Sequence, residues 1–162
     1  MPLQCSIPIG NQFEAHLGVC DAIEFYGNKL SLPLAHVVPA RKVAFFWIGG
    51  TGKSMLGLWQ TRTLPGGKRA HIAFELAEVE LQTAPARLRR AGIQPLDFAG
   101  GPREEAVVLP WMPAASVYFH DPDNNLLEFI TMMPGGPPRP ALDPLSWVES
   151  TATRQSRIER TC

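Results

Sequence analysis

The segment from Leu126 to Met132 reads as an apolar strand carrying one carboxylate, Glu128, between Leu127 and Phe129. A carboxylate turned into the interior of such a sheet is costly unless something partners it. Glu128 therefore either faces solvent or has a chemical partner. Two strand-like segments carry imidazoles: Phe13 to Cys20 holds His16, and Arg69 to Leu76 holds His71. Taken alone, a strand histidine is ordinarily a satisfied or exposed residue. Two other motifs fail on inspection. Gly52-Lys53-Ser54 looks like the end of a phosphate-binding loop, but Trp47 stands where its first glycine belongs, and a strand follows instead of a helix. Asp121, Asp123 and Asn125 begin like a calcium loop, but Leu126 replaces the glycine of the sharp turn and Met132 replaces the closing glutamate. Both read as turns.

A longer constellation is more specific. The run Tyr118-Phe119-His120-Asp121-Pro122-Asp123-Asn124-Asn125-Leu126-Leu127-Glu128-Phe129 closely resembles the C-terminal hairpin of the vicinal oxygen chelate superfamily. That superfamily holds glyoxalase I, fosfomycin-resistance thiol transferases, extradiol dioxygenases and bleomycin-binding proteins. His71-Ile72-Ala73-Phe74 resembles its central strand, and Glu14-Ala15-His16-Leu17 with Ala22-Ile23-Glu24-Phe25-Tyr26 resembles its first strand and helix. The resemblance covers roughly Phe13 to Met132. It implies an α+β fold of two βαβββ modules whose sheets form a shared open-barrel cleft. It also implies a divalent metal ion (iron, manganese, zinc or nickel) held by His16, His71 and Glu128. Two imidazoles and a carboxylate suit a first-row divalent ion and leave positions open for water or substrate.

The departures from the family pattern are as informative. Many members add a carboxylate ligand on the last strand of the first module, where this chain has Gly57 in Met55-Leu56-Gly57-Leu58-Trp59. Since that carboxylate helps move the substrate proton in glyoxalase I, its absence disfavours glyoxalase I activity and resembles the thiol transferases or dioxygenases instead. Tyr118 matches a substrate-contacting tyrosine of both branches. Its phenol can donate to a metal-bound oxygen, or it can be a core aromatic with a tethered hydroxyl. Gly18 stands where fosfomycin transferases carry a hydroxyl side chain, and the segment from His16 to Ala22 is several residues shorter than usual. His120 shares a strand face with Tyr118 by two-residue periodicity and is a weak candidate for an additional acid or base. His36 reads as structural or exposed.

These residues need elements to hold them. In the first module, about residues 13–62, the strand bearing His16 is followed by a helix from Ala22 to Leu30 with Asp21 as its N-cap. Strands then span Ser31 to Val38, Lys42 to Ile48 and Ser54 to Gln60. In the second, about residues 68–133, the strand bearing His71 leads into a helix from Glu78 to Ala91. That helix restarts at Pro85 and ends with Gly92 at C′. A short strand from Gln94 to Phe98, a loop from Ala99 to Glu105, and a hairpin of Ala115 to His120 with Leu126 to Met132 complete it. Residues 134–162 form a Pro-rich extension that resists regular structure, with Trp147 and Val148 placed to pin it to the body or to a partner.

Composition bounds the partners. In 162 residues, 15 Lys plus Arg balance 15 Asp plus Glu, which gives no electrostatic steering toward nucleic acid or an anionic membrane. A small-molecule substrate is expected, handled by a metal-dependent lyase, thiol transferase or dioxygenase. The alternative is a non-catalytic binder of the bleomycin-resistance type, with Trp47, Trp59, Trp111 and Phe119 as its aromatic surface. Cys5, Cys20 and Cys162 have no metal-type spacing and read as reduced thiols. The first residues read as no secretory signal and the longest apolar run, Val43 to Ile48, is too short to span a bilayer, so a cytoplasmic location is expected; the resemblance to small members of the superfamily, which often pair, implies a homodimer.

Overall fold

The computed structural model describes residues 18–60, 70–109 and 112–133, and the backbone of Leu145–Ser146. The chain divides at about residue 69 into two compact units, and the turn 121–124 belongs with the first.

In the first unit, helix α1 (Val19–Ala22) passes directly into a π-helix over Ile23–Lys29. The wider winding ends with Leu30 N–H donating to the Phe25 carbonyl, five residues back, at 3.0 Å. The helix starts earlier than the sequence suggests, so Val19 and Cys20 are helical, not strand. Asp21 is not the N-cap: it lies within the first turn, and its carboxylate accepts the Gly18 N–H at 2.6 Å. The rest of the expected first strand, with His16, lies outside the described residues.

Three antiparallel strands follow in the order β1 (Leu34–Val38), β2 (Val43–Ile48) and β3 (Ser54–Trp59). Alternation along β2 separates two faces. Ala44 and Phe46, both fully buried, meet the helix, where the Phe46 ring lies 5.8 Å from that of Tyr26. Phe45 and Trp47 point the other way. The Tyr26 hydroxyl donates to Asp121 at 2.7 Å in a buried bond. Burial first, then that bond and the charges of Asp121 and Asp123, hold the phenol far above its ordinary pKa.

The second unit has the expected element order, with β5 in a place the sequence reading did not mark: β4 (His71–Glu75), α2 (Glu78–Arg90), β5 (Val107–Leu109), β6 (Ala114–His120) and β7 (Leu126–Met132). With β8 (Leu145–Ser146) the sheet order is β4-β7-β6-β5-β8, with β4 and β7 parallel and the other pairs antiparallel. Helix α2 packs across β6 and β7 with a buried stripe of Leu81, Ala84, Pro85 and Leu88. It covers the face bearing Phe74, Phe119 and Phe129. Pro85 sits inside one continuous helix and does not restart it. Gly92 does occupy C′, at φ 74°: its N–H reaches the Arg89 carbonyl while Ile93 N–H reaches Leu88, each at 2.9 Å.

The expected strand at Gln94–Phe98 shrinks to Leu96, which exchanges both backbone bonds with Tyr118 at 2.7 and 3.1 Å. Pro95 has no N–H to give, and Asp97 turns the chain away. The Pro-rich extension does contain regular structure, since Leu145–Ser146 forms β8 on the free edge of β5. Cys20 is disulfide-bonded, where three reduced thiols were expected; spacing in sequence does not report proximity in space. Cys5, Cys162 and Trp147 lie outside the described residues. The disulfide removes the argument from reduced thiols to a cytosolic location. No described helix is long and apolar enough to cross a membrane.

Candidate metal centre

Strand register assembles the site. His71, Ala73 and Glu75 on β4 stand beside Leu126, Glu128 and Ile130 on β7, which in turn face His120, Tyr118 and Ser116 on β6. All share the sheet face opposite the one α2 covers. The His71 Nε2 lies 3.0 Å from Glu128 Oε2. The imidazole is half exposed and the carboxylate nearly enclosed, with 52% and 6% of the respective side-chain surfaces accessible. The other carboxylate oxygen, Oε1, accepts the hydroxyl of fully buried Ser116 at 2.5 Å.

Tyr118, directly across from Glu128, is buried, and its ring centroid lies 6.3 Å from that of His71. Burial first, then the Glu128 charge beside it, push the phenol well above its ordinary pKa. A hydrogen bond with the Glu128 carboxylate acts in the same direction, and one with Ser116 opposes it. On its other side Phe98, 60% exposed, meets Tyr118 edge to face at 6.0 Å.

A knotted turn presents Phe98. The Asp97 Oδ1 accepts the Ala99 and Gly101 N–H groups, and its Oδ2 accepts Arg103 Nε at 2.9 Å. Burial opposes ionisation of Asp97, but these donors and the Arg103 charge together outweigh it and hold the carboxyl below its usual range.

Of the residues the sequence singles out, His71, Glu128 and Tyr118 come together. His16 lies outside the described residues, and among the described residues no group of three His, Cys, Asp or Glu converges on one point. The two donors present do fit a divalent ion. Ligands each about 2.1 Å from one ion, at a right angle, stand about 3 Å apart, which is the spacing of His71 Nε2 and Glu128 Oε2. His120 is exposed at the end of β6, and His36 is exposed on β1. Of the aromatics suggested as a binding surface, Phe119 is core, Trp47 is half-buried, Trp59 is 56% exposed, and Trp111 lies outside the described residues.

Sequence reasoning missed Ser116 and Phe98. Ser116 lies two residues before Tyr118, so the strand period alone would have placed it on the same face. Nothing in the sequence marks Phe98.

Gly57 has a different neighbourhood. It pairs with Phe45 on β2, and the Trp59 and Phe45 rings, 5.4 Å apart and edge to face, close over it. A Cβ added at Gly57 would lie 2.6 Å from the Trp59 ring and 2.9 Å from that of Phe45. The volume beside Gly57 is thus taken by aromatic carbon, not by a water-sized space.

Comparison with solved structures agrees with the architecture. An integron cassette protein from the mobile metagenome of a Halifax Harbour sewage outfall aligns with a TM-score of 0.60 at 24% identity, over 70% of this chain and 89% of its own. A glyoxalase/bleomycin resistance protein/dioxygenase from Nocardioides aligns at 0.52 and 28% identity, over 75% and 79% of the two chains. The fosfomycin resistance protein FosX from Listeria monocytogenes aligns at 0.53 and 20% identity, over 70% and 84%. No protein-family model and no curated protein sequence matches the chain. The chain has the fold of the glyoxalase, bleomycin-resistance and dioxygenase proteins, the vicinal oxygen chelate superfamily.

The packing over Gly57 yields a prediction. Gly57→Ala must displace the Trp59 ring. It is expected to lower stability by about 1 kcal/mol, in the range for overpacking, and to red-shift tryptophan emission. Denaturant unfolding followed by fluorescence reads both; an unchanged midpoint and spectrum would show that the rings do not close over this position.

Proposed function

We propose that this chain is a divalent-metal-dependent enzyme, of lyase, thiol-transferase or dioxygenase type, acting on a small molecule that presents adjacent oxygens. The approach of His71 Nε2 to Glu128 Oε2 at 3.0 Å, on one sheet face and with the carboxylate buried, carries this reading. His71 and Glu128 would hold the ion together with His16. A bound ion at such a site supplies a Lewis acid that polarises a substrate oxygen. The chain's own groups do the rest. Ser116 keeps the buried Glu128 partnered, Tyr118 offers its hydroxyl hydrogen to a substrate oxygen, and Phe98 gives the substrate an apolar wall.

A second reading is favoured by the exposure of Trp59 and Phe98: a non-catalytic protein that sequesters an aromatic or hydrophobic ligand.

Metal analysis separates the two. Protein purified without chelator is expected to carry about one divalent ion per chain, and His71→Ala or Glu128→Ala to lose it. A wild-type protein that binds no ion under titration would remove the enzyme reading and favour the binder.

With no carboxylate at position 57 to move a proton, little or no conversion of the methylglyoxal–glutathione adduct is expected with nickel, zinc, manganese or iron. Robust turnover abolished by His71→Ala or Glu128→Ala would overturn that assignment. The chain is further expected to be a homodimer, and light scattering giving the monomer mass at micromolar concentration would refute this.

A further inference from the structure

Resting on the reading of His71 and Glu128 as ligands, we infer that Ser116 is a positioning residue that confines Glu128 to binding the ion through one oxygen, Oε2. The two carboxylate oxygens are not equivalent. Oε1 accepts the Ser116 hydroxyl at 2.5 Å, whereas Oε2 faces the half-exposed His71 at 3.0 Å. Ser116 is fully buried, paired in register with Val107 on β5 and Ile130 on β7, and reaches Glu128 along the diagonal between β6 and β7.

For both oxygens to face one ion, the carboxylate would have to turn. That would break the Ser116 bond, which costs a buried hydrogen bond and leaves the Ser116 hydroxyl only that of Tyr118 beside it. The fold therefore spends one carboxylate oxygen on the sheet. A coordination position that a bidentate glutamate would occupy stays open, and a chelating substrate needs two such positions.

The test uses Co2+ as the probe on the whole chain. Difference infrared spectra with and without Co2+, with Glu128→Gln to assign the band, report the binding mode. A wide splitting of the asymmetric and symmetric carboxylate stretches marks one-oxygen binding, and a narrow splitting marks two. The wild type is expected to show the wide splitting. Ser116→Ala should show the narrow splitting, a weaker visible Co2+ absorption from the higher coordination number, and about 10-fold weaker Co2+ binding. Ser116→Thr, which keeps the hydroxyl, should restore the wild-type spectrum and affinity.

A narrow splitting in the wild type overturns the inference and leaves the metal reading standing. So does a Ser116→Ala protein with wild-type spectrum and affinity. A wild type that binds no Co2+ removes both. Should Ser116→Ala fail to fold by circular dichroism, the wild-type splitting and Ser116→Thr still decide.

Discussion

The second unit is organised around one constraint: the Glu128 carboxylate, 5% exposed, has to be partnered. An ionised carboxylate inside a sheet costs several kcal/mol unless hydrogen bonds or opposite charge meet it. Here the strands on either side of β7 supply the partners, Ser116 from β6 and His71 from β4. Both depend on register, because a slip of one residue in either pairing would turn the whole set to the face that α2 covers. On β4 the residue level with Glu128 is Ala73, whose methyl group leaves the carboxylate's outer side to His71.

That register is held from the opposite face. Phe74, Phe119 and Phe129 pack together there, with ring centroids 6.2 and 4.8 Å from that of Phe129, and α2 lies over them. The Schellman closure at Gly92 returns the chain to the sheet, where Leu96 takes up the Tyr118 backbone groups that β5 is too short to reach. Tyr118 is thus fixed through its main chain by Leu96 on one edge, and on the other it stands directly across from Glu128. The apolar side of the sheet sets the geometry, and the polar side uses it.

This division explains what the sequence discloses. The hairpin around Asp121 to Asn125 is legible because its turn chemistry, its alternation and the lone carboxylate in an apolar strand are all local signals, and β6 and β7 fall within a residue of their expected bounds. The partnership of His71 with Glu128 was reached through resemblance; no local pattern links positions 57 residues apart. Ser116 was not anticipated because a serine in a strand carries no signal until its cross-strand neighbour is known. β5 escaped for a related reason: three buried apolar residues, Val107–Leu109, show no alternation. The early start of the first helix was hidden because Asp21 is as compatible with a first-turn position as with an N-cap.

The first unit shows the same strand arithmetic spent differently. Its helix-free sheet face carries Phe45, Trp47, Met55 and Trp59 around Gly57, and Met55 and Trp59 are more than half exposed. A carboxylate at position 57 would have to displace the Trp59 and Phe45 rings. The missing carboxylate and the aromatic cover are therefore one feature: each is tolerable because of the other. A sheet face that held both a ligand carboxylate and this packing of Trp59 against Phe45 would be self-contradictory. The residue at position 57 thus settles whether that face offers an acid or an aromatic surface, and it does so without any change of fold.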